Sequence, residues 1–364
     1  MSGPVKAVLV GAGLVGQVCH LATLTSPNSE IVLAGVVDAS LTRAQGIAQA
    51  HGVPAANTLQ GLDLSEIDAV VIAAPDPAHR AAVEEALAAG LHVFCEKPLS
   101  LTSNECEELN SKARAAGKIA QVGYMKRFDP VYECLKNELI NRNARITSVA
   151  VEVRDPDAAP FVRDYPFVAA GNDVDPEIIS AGNAQFRSAV DSVLGVVAND
   201  EQVTAWGSFI GALIHDLNFV RGFVEAPSQA SVGFVGMDGL QVGLHYVNND
   251  GILVRMTHTQ VPHTADYKEL ITFYTTTGVY EVVFPAPYLL NATTPLLHFT
   301  EKDANHEAQM LSLNDSTEEA FVRELESFAR SIKAGARTPE RNSFGDAADD
   351  LRILESAMKL AYSS

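Results

Sequence analysis

The chain has 364 residues, room for two domains, and 47% of them are hydrophobic, too many for a disordered polymer. A formal net charge of −19 argues against a nucleic-acid partner, whose phosphates it would repel. Cys19, Cys95, Cys106 and Cys134 fit neither C-x-x-C nor metal-ligand spacing, and no apolar run approaches the roughly 18 residues of a membrane span, so a soluble, cytoplasmic protein without leader or metal is expected.

The chain opens on a short Val/Leu-rich strand, residues 5–10. Gly11, Gly13 and Gly16 follow as G-x-G-x-x-G, and residues 14–24 carry apolar side chains at helical spacing. In a dinucleotide-binding unit Gly11 permits the turn, Gly13 leaves room for a pyrophosphate, and Gly16 lets the helix pack closely on the strand. Leu14 and Val15 open that helix, where free N–H groups face the phosphates. A second strand, residues 31–37, ends at Asp38, placed to accept from the ribose hydroxyls of NAD. The carboxylate would repel the 2′-phosphate of NADP. Ala39 and Ser40 add no cation, while Arg43 stands one turn further on.

Helix and strand alternate up to residue 125. Strands are expected at 68–74, 91–95 and 119–122. Helices are expected after the Asp76-Pro77 N-cap and after a Thr102/Glu105 capping box closed by Gly117. Asp129-Pro130 opens another helix. The pattern then changes: a strand at 145–153, a Pro/Gly/Asn/Asp-rich stretch at 160–205, a helix at 203–224 carrying His215, five strands between 229 and 284, and two terminal helices. The expected fold class is α/β. Residues 1–125 form a Rossmann domain with a doubly wound parallel sheet. Residues 126–364 form an α+β domain with a large open, mainly antiparallel sheet, and the C-terminal helices are free to pack back on the Rossmann domain.

Three stretches fall at strand C-termini, where a Rossmann fold holds its ligand: Pro75-Asp76-Pro77-Ala78-His79, Glu96-Lys97-Pro98, and Gly123-Tyr124-Met125-Lys126-Arg127-Phe128-Asp129-Pro130. With the glycine fingerprint they resemble the Gfo/Idh/MocA family, the glucose–fructose oxidoreductase and inositol dehydrogenase group. That resemblance implies NAD(P)-dependent oxidation or reduction of a sugar, glycoside or cyclitol hydroxyl in a homodimer or homotetramer packed through the open sheet. Lys97 becomes the principal acid/base candidate, because oxidising an alcohol needs an acceptor for its proton. His215 resembles the family's second catalytic position. Glu96 resembles a residue near the nicotinamide or else simply holds Lys97. Pro75, Asp76 and His79 are candidate cofactor contacts, and Tyr124, Arg127 and Asp216 are candidate substrate contacts.

The chain departs from the pattern at Gly211, where inositol dehydrogenase-like members carry Asp one turn before the histidine. Asp216 points about 100° away from His215 and is no simple replacement. Two alternatives follow: an enzyme that retains NAD through a redox cycle, as in redox-assisted glycoside cleavage, and a non-catalytic NAD and sugar sensor. Residues 160–205 are long for a connection and carry Asp173, Asp175, Glu177 and Asp191, which marks them as a candidate lid.

Overall fold

The computed structural model describes residues 3–156, 158–301 and 307–363 and divides into two units. The first contains the residues up to Tyr124, to which Asp164–Ala189 and Phe321–Ala348 return. Its strands are β1 (Val5–Val10), β2 (Ile31–Val37), β3 (Ala55–Ala56), β4 (Ala69–Ile72), β5 (His92–Glu96) and β6 (Ala120–Gly123). They lie in the order β3-β2-β1-β4-β5-β6, and every pair is parallel. Strand order reverses between β1 and β4, the switch point at which such sheets hold a ligand. β4 is buried at every position, which is why its sequence is a continuous apolar run rather than an alternating one.

Two helix entries differ from the sequence expectation. Asp76 does not cap a helix: Asp76–Ala78 is a 3₁₀ turn and the α-helix proper is His79–Ala88. Thr102 does accept from Glu105 N, at 3.4 Å, but the Glu105 carboxylate reaches Ser100 Oγ (2.6 Å) and Leu101 N (3.3 Å) instead of closing a capping box.

In the second unit β7 (Ile146–Asp155), β8 (Val232–Gly236), β9 (Gln241–Val247), β10 (Leu253–Gln260), β11 (Lys268–Thr275), β12 (Gly278–Phe284), β13 (Leu296–Glu301) and β14 (Ala308–Ser312) form one sheet. Their order is β14-β13-β12-β11-β7-β10-β9-β8, antiparallel except for β7 with β10. The core of this unit is aromatic, with Trp206, Phe209, Phe219, Tyr246, Phe273 and Tyr280 buried. The helix carrying His215 runs from Asp200–Ser208 through a π-helical turn, Phe209–Leu213, into Ile214–Arg221.

Candidate active site

The glycine turn is built as its sequence demands. Gly11 has φ +84° and donates its N–H to Val37 O (2.8 Å), tying the end of β1 to the end of β2. A Cβ on Gly11 would lie 2.4 Å from the Ala74 backbone, and one on Gly16 would lie 2.5 Å from Gly11 O. Gly13 differs: a Cβ there meets nothing within 4 Å. Its face is open, which is the cradle a dinucleotide requires, so these residues fit NAD. Leu14 and Val15 begin the helix as expected, but its next turn, Gly16–His20, is π-helical. Such turns concentrate at functional sites.

Asp38 is buried at the end of β2, where it accepts from Ala12 N (2.8 Å) and Ser40 N (2.8 Å). Arg43, one turn further on, reaches it: Nε and Nη2 fork onto the two carboxylate oxygens at 3.1 and 2.9 Å. Residues 164–189 run along this edge. Gln17 exchanges two hydrogen bonds with the Val168 backbone (3.0 and 2.9 Å) and also donates to Ala12 O (2.8 Å). Asp173 accepts from Ser40 Oγ (2.6 Å), Thr42 N (2.8 Å) and Thr42 Oγ1 (3.0 Å).

At the ends of β4 and β5, His79 is buried with Nδ1 on Pro98 O (2.7 Å) and Nε2 on Ala74 O (2.8 Å). Its ring is thus a strut between the loop holding Pro75 and Asp76 and the loop holding Lys97. Glu96, the last residue of β5, is buried. One carboxylate oxygen accepts from Lys97 N (3.2 Å), and the other pairs with His20 Nε2 (2.7 Å). Gly123 lies opposite in the register, and a Cβ there would come 2.9 Å from the carboxylate, so glycine makes the space for Glu96. Glu324 completes the group, with ligand-type atoms of His20, Glu96 and Glu324 all within 4.8 Å of one another. Lys97 is half-buried, and its peptide bond to Pro98 is cis. Tyr124 is buried, and Asn342 holds both flanks: Nδ2 donates to Tyr124 O (3.0 Å) and its backbone carbonyl accepts from Val122 N (2.8 Å).

The second unit begins with the 3₁₀ segment Met125–Phe128. Lys126 is buried on two carboxylates, Asp216 Oδ1 (2.7 Å) and Glu269, with the Phe284 ring 4.9 Å away. Tyr267 donates to the other Glu269 oxygen. Burial raises the Asp216 carboxyl above the usual range, and Lys126 works against that rise. Arg127 donates to Asn218 O (2.6 Å), and Asn218 Nδ2 donates to Asp350 (2.8 Å), which also holds Arg221. Arg127 and Asp216 are therefore built into internal networks. His215 is half-buried, and a Cβ on Gly211, one turn earlier, would meet nothing within 4 Å. His258 pairs with Asp155 (3.3 Å).

Residues 5–124 match the model of an oxidoreductase family with an NAD-binding Rossmann fold. That match covers the first domain, about a third of the chain. Inositol 2-dehydrogenase 2 of Saccharopolyspora erythraea is 38% identical over 159 residues, 42% of this chain and 47% of that protein. Inositol 2-dehydrogenase/D-chiro-inositol 3-dehydrogenase of Shouchella clausii is 37% identical over 139 residues, 37% of this chain and 40% of that protein. The matched stretch is thus less than half the length of either relative. Among solved structures, myo-inositol 2-dehydrogenase from Lactobacillus plantarum has a TM-score of 0.71 at 20% identity, covering 98% of this chain and 97% of that one. Aldose-aldose oxidoreductase from Caulobacter crescentus has 0.72 at 17%, covering 99% and 98%. These likenesses show a shared fold. No described helix is long and apolar enough to cross a membrane.

Proposed function

We propose that this chain is an oxidoreductase moving a hydride between NAD, in preference to NADP, and a secondary hydroxyl or ketone of a sugar, glycoside or cyclitol. The observation that carries the reading is Lys97, set by Glu96 at the C-terminal end of β5 in a domain matched to NAD-binding oxidoreductases. Bound NAD supplies the hydride acceptor. The backbone at Gly13, Leu14 and Val15 receives its pyrophosphate, and Asp38 accepts from a ribose hydroxyl. Lys97 takes the proton of the reacting hydroxyl, and His215 is the second acid/base of this reading. Tyr124 bounds the substrate through its ring. Arg127 and Asp216 act indirectly, by fixing the backbone at Asn218 and the start of the His215 helix.

A homo-oligomer through the open sheet is part of the reading, in a cytoplasmic setting. Tyr274, Val279, Phe299 and Met310 stand directly opposite one another across β11 to β14, an apolar row of which three members are well exposed. A second reading, with NAD retained through a cycle, draws on residues 164–189, tethered at both the glycine turn and Ser40.

Absorbance at 340 nm tests both readings. Purified protein with excess NAD is mixed with a panel of cyclitols, free sugars and glycosides. Catalytic growth at 340 nm supports the dehydrogenase, and a stoichiometric rise that stops supports retained cofactor. No rise with any compound, in either redox direction, refutes both and leaves the sensor.

A further inference from the structure

We propose that Asp173 is a cofactor-specificity residue, its carboxylate filling the seat that the 2′-phosphate of NADP would need and so setting the domain for NAD. The inference rests on the reading of the glycine turn and Asp38 as a dinucleotide site. An acid at the end of β2 accepts from the ribose 2′-hydroxyl, so a phosphate on that oxygen extends onto the start of the following helix, Leu41–His51. That helix start offers an anion several donors: the Ser40 hydroxyl, the Thr42 amide and the Thr42 hydroxyl. Asp173 takes all three, at 2.6, 2.8 and 3.0 Å.

Charge decides between the two acids at this edge. Asp38 is neutralised by the forked Arg43 guanidinium, which leaves it a weak barrier to a second anion. The same pairing withdraws the cation that would otherwise receive a phosphate. Asp173 has hydroxyls and a backbone amide as partners and no cation among them. Those donors hold its carboxyl at about 2, so it is fully charged at neutral pH.

The loop is shaped to deliver this carboxylate. Gly171 donates to Ser40 Oγ (3.0 Å), and a Cβ there would lie 2.8 Å from both Asp173 Oδ1 and Thr42 Oγ1. Gly46 makes room for Val168, since a Cβ at that position would lie 2.9 Å from Val168 Cγ1. Two glycines and the paired bonds to Gln17 thus seat the segment with Asp173 on the helix start.

Calorimetric titration of the full chain with NAD and with NADP tests this. The readout is the ratio Kd(NADP)/Kd(NAD) in the parent, in Asp173→Ala and in Asp173→Asn, the last keeping an acceptor for Ser40 without the charge. Removing one anion from beside the phosphate should lower the ratio about tenfold in Asp173→Ala, and Asp173→Asn should lower it in the same direction. A parent that prefers NAD, with a ratio unchanged within twofold in both variants, overturns the role of Asp173 and leaves the cofactor reading standing. A parent that binds NADP as well as NAD, or binds neither, overturns the cofactor reading and this inference with it.

Discussion

Replacing Lys126 by Met keeps the side-chain stem and removes the charge that compensates two buried acids. The three side chains are 8%, 2% and 3% exposed for Lys126, Asp216 and Glu269. Deleting one partner of a buried ion pair costs about 3–5 kcal/mol, because the remaining charge is left without water or counter-ion. In a unit of this size that is a fall in Tm of roughly 6–20 °C, at about 2–4 °C per kcal/mol. The loss should depend on pH. The folded Asp216 carboxyl sits above its unfolded value, through burial first, with Lys126 pulling it down and the Asp155 carboxylate nearby. A group raised in this way binds its proton more tightly folded than unfolded. Its penalty is absent below the unfolded pKa and grows as pH rises through the folded one. Without Lys126 that upper limit moves higher, so Lys126→Met should trail the parent by less at pH 5 than at pH 7.5. Scanning calorimetry at both values measures it. A deficit under about 1 kcal/mol, or one equal at the two pH values, would refute the argument that Lys126 compensates the buried acids.

Gly211→Asp restores a carboxylate one turn before His215. With nothing within 4 Å of the new Cβ, the variant should keep its Tm within a few degrees. It should tolerate or favour a small free cyclitol and lose activity on a bulky glycoside; equal loss on both would make Gly211 a matter of backbone packing alone. Gly11→Ala forces a Cβ onto Ala74 at φ +84°, and should lose NAD binding by calorimetry together with about 2–4 kcal/mol of stability; unaltered NAD affinity would remove the glycine turn from the site. In steady-state assays, kcat/KM should favour NAD over NADP, and equal values would contradict the roles given to Asp38 and Asp173.

The parts of the fold legible in the sequence are those fixed by near neighbours. Gly11, Gly13, Gly16 and Asp38 are set by one turn and two strands, so spacing alone located them. Lys97 was found through the family-like Glu-Lys-Pro stretch rather than through any periodicity. What stayed hidden depends on partners far away along the chain. Ser40 meets Asp173 across 133 positions, His20 meets Glu96 across 76, and Lys126 meets Glu269 across 143. Helical spacing marked His20 as one more helix residue, and nothing local signalled that its ring would sit against a buried glutamate. The two π-helical turns, at Gly16–His20 and Phe209–Leu213, carry no residue pattern of their own. β14 was missed for a different reason. It is an edge strand in which no residue is buried, so it lacks the alternation that marks a half-buried strand. The candidate lid at 160–205 also divides in space. Residues 164–189 lie with the first unit against Gln17, Ser40 and Thr42, whereas those from 190 onward belong to the second.

The central claim is that Lys97 handles the proton while the nicotinamide takes the hydride. Single-turnover absorbance at 340 nm, comparing the parent with Lys97→Ala under saturating NAD and a substrate found in the panel, tests it most directly. NAD affinity should stay within about tenfold of the parent, and the hydride-transfer rate should fall by about 10² or more, the scale of a positioned acid/base. A Lys97→Ala protein that reduces NAD at the parental rate would contradict it.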